Sequence, residues 1–421
     1  MKVNIKGISE NRQVFGNFVS LSILNALNVL LPLITLPYIM RTIGEGNYGI
    51  YRYVYVVLQY VILIDTYGFN FSATKQISQC RENRRDVTRI YNSVIISKSL
   101  IALVLSVALY SLSHFVFRDP DAPMMFLWGL GMVIGDILTP TWLFQGMERM
   151  KYMTIVNASS KILFTVLVFV LIRRTEDYVL LILLNSAGYM LAGIMSIILA
   201  HRQFGMRFVR IGISDISEQF KNGLAVFGST MGMNLYRNAN VIILKQFVPN
   251  EIVGIYSASE AVVKGFQSVI SPLAQALFPH ISQKFKNRDV NENLSMLKKI
   301  LLPFAGLVLS VSAMVFVAAP VVSDILCGVN LRECVPLIRI MTLVIVFGEI
   351  NYMIGIVGLV NMNEQRKFFY YVLVAGLASV SFVLLTAGTM QAYGAAWAMV
   401  LAEVLLTILC SVRLMKLRQR K

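Results

Sequence analysis

Apolar runs of roughly 20 residues, separated by short polar stretches, follow one another along the whole 421-residue chain. A run of that length crosses about 30 Å of hydrocarbon at about 1.5 Å per residue. Lipid offers no partner to an open backbone group, so each run predicts a spanning α-helix. In the first half the runs are Phe15–Met40, Tyr48–Thr74, Ile90–Phe117, Pro123–Gly146, Tyr152–Ile172 and Tyr178–Ala200. In the second they are Asn222–Val248, Ile252–Pro279, Ile300–Leu326, Pro336–Val360, Phe368–Met390 and Ala392–Val412, the last two parted only by Gln391 and small residues. The predicted class is an all-α integral membrane protein of about 12 spans.

The longest connection, 201–221, divides the chain into six-helix lobes 1–200 and 222–412, with a basic tail at 413–421. Tyr48-Gly49-Ile50-Tyr51 at the start of the second span matches Val253-Gly254-Ile255-Tyr256 at the start of the eighth, at an offset of 205 residues. The same offset places Asn17 over Asn222. With six spans each, two repeats enter the membrane in the same direction and are related by an axis along its normal. That symmetry predicts a central cavity lined by both halves and opening to each side in turn.

Hydrophobic residues make up 57% of the chain and charged ones 14%, too few charges for a soluble domain of this size. The formal charge of +16 would suggest nucleic acid in a soluble protein. Here 26 Lys and Arg fall in the N-terminal segment, alternate connections and the tail, against 5 in the other connections. By the positive-inside rule both termini are cytoplasmic, and the basic side faces anionic headgroups, not nucleic acid. The opening MKVNIKGISENRQVF is too polar for a removable signal peptide and lacks a small-residue cleavage site, so the first helix is expected to direct insertion. Cys327 and Cys334 bracket a short loop on the non-cytoplasmic side, where a disulfide could form; Cys80 and Cys410 read as free thiols.

Charges inside spans are costly, which makes each a candidate for function. Lys98, Lys161, Arg237 and Lys264 lie near mid-depth; Arg52, Lys245 and Arg339 lie nearer helix ends; the acids are Asp65, Asp136, Glu260, Asp324, Glu349 and Glu403. In the seventh span Thr230, Asn234, Arg237, Asn238 and Lys245 share one helix face. Such a face lines a cavity, or else Arg237 pairs with an acid such as Asp136 to join helices. Glu260 and Lys264, four apart, read as an internal salt bridge. Asp65, Asp136, Glu260, Glu349 and Glu403 are candidates either for ion coupling or for charge pairing. Pro140 predicts a kink, and Gly131 with Gly135 a close helix approach. With three histidines and no HExxH, Cys-x-x-Cys, nucleophile elbow or P-loop, the chain reads as no enzyme, with no metal site and no cofactor.

The run Leu36-Pro37-Tyr38-Ile39-Met40-Arg41, then Ile43-Gly44, Tyr48-Gly49-Ile50-Tyr51 and Asp65-Thr66-Tyr67-Gly68-Phe69-Asn70, resembles the N-terminal signature of Wzx-type flippases. These belong to the multidrug/oligosaccharidyl-lipid/polysaccharide superfamily, with the MATE exporters and lipid II flippases. The resemblance covers about the first 90 residues and implies a MATE-like V of two six-helix lobes. It also implies flipping of undecaprenyl-pyrophosphate-linked oligosaccharide between leaflets of the bacterial inner membrane for O-antigen or capsule. Lipid tails, H⁺ or Na⁺ as coupling ion, a polysaccharide polymerase and a chain-length regulator are the implied partners. A pyrophosphate crossing a low-dielectric region calls for a cationic cavity, for which Arg237, Lys264, Lys161, Lys98 and Arg52 are candidates, with Asn234 and Asn238 for sugar hydroxyls. Two other readings stay open: a MATE-like cation-coupled exporter and a non-transporting scaffold of a polysaccharide assembly complex.

Overall fold

The computed structural model describes residues 5–116, 119–285, 289–327 and 332–419, and within them every predicted apolar run lies mostly on helix. The helices are α1 (Ile5–Thr66), α2 (Phe69–Gln79), α3 (Arg84–Val116), α4 (Ala122–Ile137), α5 (Thr141–Gly146), α6 (Met150–Leu171) and α7 (Leu180–Phe204). They continue with α8 (Ile213–Phe247), α9 (Asn250–Phe285), α10 (Val290–Leu326), α11 (Cys334–Asn351) and α12 (Gln365–Gln419). Eight helical stretches of the described residues are long and apolar enough to cross a membrane, and two of these, Leu30–Gln79 and Gln365–Arg418, are 50 and 54 residues long. Each is about twice the length of one crossing.

Both long stretches break where the sequence separates spans. In α1 the break is Gly44, at φ 78° and ψ 166°, a conformation only glycine adopts without strain. In α12 it is Gln391, at φ 51° and ψ −129°. The second predicted span departs from one straight rod, because Tyr67 and Gly68 both take positive φ and set α2 off from α1. Pro140 has the predicted effect: α4 ends at Ile137 and α5 begins at Thr141. After Asn351 the helix widens into a π-helical stretch, Tyr352–Val360. Large apolar side chains point outward, Val317 at 75% and Leu385 at 82% exposure, as a lipid-facing surface does.

The chain forms two compact units: Met1–Thr35 with Val54–Met231, and Leu36–Tyr53 with Gly232–Lys421. In the first, α4 lies against α7 through glycines. A Cβ on Gly131 would meet Ser186 at 2.8 Å and one on Gly135 the Tyr189 carbonyl at 2.4 Å. The 201–221 connection is fastened to this unit. Arg84 donates to the Gly205 carbonyl at 2.7 Å, Asn92 to that of Arg207 at 2.8 Å, and Arg89 to Asp215. The second unit is built on α9 to α12 and holds an apolar core that includes Ile354, Leu359, Phe368 and Leu406.

In the turn before α12, Glu364 accepts from Arg413 and pairs with Lys367 at 3.1 Å. The Arg413 hydrogen bond, with help from Lys367, holds the Glu364 carboxyl below its ordinary value. A depressed carboxylate stabilises above the unfolded pKa and loses that contribution as pH falls through the folded one. Amide protection across 361–368, taken relative to the intrinsic exchange rate at each pH, is therefore expected to fall when the pH drops below the usual glutamate range, and to be low already at neutral pH in the Arg413→Ala variant.

Candidate functional site

In the first unit, Lys98 of α3 is 2% exposed and joins four helices. Its Nζ donates to Asp136 Oδ2 of α4 at 2.6 Å and lies 3.3 Å from Asp65 Oδ2 of α1. It also sits 5.5 Å from the ring centre of Trp142 in α5. Two carboxylates thus share one ammonium in the core of the unit, and the group closes neutral only when one of them takes up a proton or a cation. Asp136, a suggested partner for Arg237, is held by Lys98.

Lys161 stands differently. It lies midway along the 22-residue α6, half-buried, with no hydrogen bond or ion pair among the described residues. Asn157 and Thr165 stand one turn to either side, so the three form a polar stripe on one helix face. The Thr165 hydroxyl is buried without a hydrogen-bond partner among the described residues. This stripe escaped the reading of the sequence, although a spacing of four marks it, because the face of α8 carries more polar positions.

In the second unit Glu260 of α9, 1% exposed, stands between two cations. Its Oε1 is 2.9 Å from Lys264 Nζ, the predicted pair, and its Oε2 is 3.7 Å from Arg52 of α1. Lys245 pairs with Asn250 and lies 5.9 Å from the Tyr53 ring centre. Asn234, Arg237 and Asn238 lie on α8, but their side chains fall outside the described residues.

A second polar group in that unit collects the remaining acids just before the π-helical stretch. Asn351 donates to Glu403 Oε2 at 2.6 Å, Thr407 to Asn351 Oδ1 at 2.8 Å, and Ser271 to Glu349 Oε1 at 2.6 Å. Glu349, Asn351 and Glu403 are all buried. Asn351, Ser271 and Thr407 were not legible as a site, since each is an isolated polar residue in an apolar run. Where α10 begins and α12 ends, a cavity of about 670 Å³ is lined by Leu294, Leu301 and Leu414 with Lys298 and Arg418.

Within the same unit the segment Leu36–Tyr53 crosses the start of α9 at backbone contact. A Cβ on Gly49 would fall 2.0 Å from the Asn250 carbonyl oxygen, and one on Gly254 would fall 2.0 Å from that of Glu45. The 205-residue offset carries Glu45 to Asn250 and Gly49 to Gly254, so the two contacts are the same contact made twice. The shared tripeptide thus marks a reciprocal contact between these two segments.

An all-α bundle with an apolar outer surface and charges held inside its spans is a multi-pass membrane protein. The chain belongs to the family described as "Polysaccharide biosynthesis protein", whose profile matches residues 14–285. It is 26% identical over 406 residues to the "Putative O-antigen transporter" of Escherichia coli (strain K12), covering 96% of this chain and 97% of that one. A protein of the same description from Shigella dysenteriae is 26% identical over 267 residues, 63% of this chain and 67% of its own. The fold is similar to that of an inward-facing multidrug resistance MATE family transporter of the MOP superfamily (TM-score 0.69, 13% identity, 93% of this chain and 99% of that). It is equally similar to that of the lipid II flippase MurJ in an inward closed conformation (TM-score 0.68, 13% identity, 98% and 90%). These likenesses agree with the family read from the first 90 residues.

Proposed function

We propose that this protein is a flippase that carries undecaprenyl-pyrophosphate-linked oligosaccharide repeat units from the cytoplasmic to the periplasmic leaflet of a bacterial inner membrane, for O-antigen or a related surface polymer. The observation that carries the reading is Lys161, a cation in the middle of a spanning helix with no anion beside it among the described residues. A lysine at the centre of a membrane helix costs about 3 kcal/mol or more to insert. A mobile anionic substrate gives that cost a use, since a unit charge at about 4 Å contributes about 4 kcal/mol in a partly wet site. Asn157 and Thr165 on the same stripe suit sugar or phosphate oxygens.

Within the second unit, Arg237 with Asn234 and Asn238 on α8, and Arg52 and Lys264 once they exchange their shared partner Glu260, would be further groups for the anionic substrate. Lys98 has the other role: enclosed with Asp65 and Asp136, it would answer to the coupling ion and not to the substrate. Glu349 and Glu403 are further candidates for that ion. A polymerase and a chain-length regulator are the natural recipients of the flipped unit. The MATE-like exporter reading draws on the fold, which serves both; the relative matched over 96% of the chain favours the polysaccharide substrate.

The test is surface-polysaccharide export in a flippase-deleted host with the cognate glycan pathway, at matched membrane abundance. Lys161→Ala is expected to reduce export at least about tenfold, the equivalent of about 1.4 kcal/mol, and Lys161→Arg to retain most of it. Full export by the alanine variant would remove Lys161 from the mechanism; no export by the parent would return the exporter and scaffold readings.

A further inference from the structure

We propose that Cys327 and Cys334 form an intramolecular disulfide in the protein as it stands in the cell envelope, closing the turn between α10 and α11. Cys327 is the residue after α10 and its N–H donates to the Ser323 carbonyl at 2.8 Å; Cys334 opens α11. Both are buried, at 1% and 0% exposure. The two side chains are near enough to interact with each other, and no covalent bond joins them. The helices that carry them pack on each other: Ser312 of α10 donates to the Thr342 carbonyl of α11 at 2.9 Å.

The surroundings hold the pair in register. The Cys334 thiol lies 3.8 Å from the Ile255 carbonyl of α9, which also accepts from the Ser259 hydroxyl at 2.8 Å. Arg41 donates to the carbonyls of Asp324 and Ile325 at 3.3 and 3.4 Å, fixing the last turn of α10. Ile255 directly follows Gly254, so a bond here would fasten the start of α11 beside the glycine crossing. Cys80 and Cys410 stand apart, one at the end of α2 and the other in the apolar core of the second unit.

The alternation of basic connections sets this turn on the side opposite the termini, the oxidising side of a bacterial inner membrane. There the reaction balances by exchange. One thiolate attacks the disulfide of an envelope thiol–disulfide oxidoreductase and forms a mixed disulfide. The second thiolate displaces the enzyme's sulfur, so the pair loses two protons and two electrons and the oxidoreductase leaves as its dithiol. Because the folded thiols are covered, exchange belongs to insertion, before α10 and α11 pack. The inference rests on the charge-derived topology and not on the transport reading; thiol counting tests it without any transport measurement.

The experiment traps free thiols with acid at harvest, unfolds the full-length protein in detergent and counts cysteines with a maleimide-linked polymer, before and after reduction. The expected result is two tags before reduction and four after. Single Cys327→Ser and Cys334→Ser variants should give three in both conditions. Four tags before reduction in the parent would overturn the proposal, as would a reducible dimer in place of the monomer. A host lacking the envelope oxidoreductase should yield four; two tags there would overturn the assigned electron acceptor. The parent's own count decides the matter even if a serine variant fails to fold.

Discussion

Lys98→Met is expected to destabilise the first unit by about 3 to 5 kcal/mol, the usual consequence of removing one partner from a buried ion pair. Methionine fills nearly the same volume, so packing changes little. What changes is charge: the buried Asp65 and the half-buried Asp136, 3.3 and 2.6 Å from the ammonium in the parent, would be left with no cation between them. The yield of monodisperse detergent-purified protein and its midpoint of thermal unfolding should both fall. Restoring neutrality is the control. In the triple variant Lys98→Met, Asp65→Asn, Asp136→Asn, most of the lost stability should return, because replacing a whole buried ionic group is far less harmful than breaking it. If the single variant is as stable as the parent, the group is not the structural centre described above. If the triple variant is stable but inactive, the carboxylates serve transport, as proposed for ion coupling.

Gly254→Ala is expected to have the second large effect, and Gly49→Ala to reproduce it. Each methyl would sit 2.0 Å from a carbonyl oxygen, and the obstacle is backbone, which no rotamer change can move aside. The crossing helices must separate, and overpacking of this kind costs about 1 to 3 kcal/mol or more. The two variants also make a diagnostic pair. Either methyl forces the same separation, so the double variant should cost clearly less than the sum of the singles, a coupling that a double-mutant cycle reads directly. Additive losses would show that the two contacts yield independently. Gly44 provides a different comparison, since a Cβ there meets nothing within 4 Å and the loss in Gly44→Ala would come from its positive φ alone.

Much of this architecture can be read along the chain. Gly44 and Gln391 interrupt α1 and α12 between the predicted spans, and Pro140 parts α4 from α5. Such features are local: an apolar run of sufficient length, a residue that tolerates an unusual φ, a ring that cannot donate. The candidate site was legible in a weaker sense. Position in a span marks Lys98, Lys161, Arg52 and Lys264 alike as costly, yet does not separate a lysine enclosed by two carboxylates from one with none nearby among the described residues. The Glu260–Lys264 pair could be foreseen because four residues along a helix bring side chains together. Arg52, distant in sequence from Glu260, could not be foreseen as a third member.

The sequence by itself determined the all-α membrane class and where the apolar helices lie, because hydrophobic length acts residue by residue against a planar bilayer. Only the tertiary structure decided which charges neutralise one another and which stay available. That choice depends on distances of a few ångströms between helices far apart in the chain, and Coulomb energy in a low-dielectric interior changes by several kcal/mol over such distances. The glycine crossing unites both levels: the offset between Gly49 and Gly254 is written in the chain, while their mutual backbone contact, the reason neither position accepts a side chain, exists only once α9 has packed.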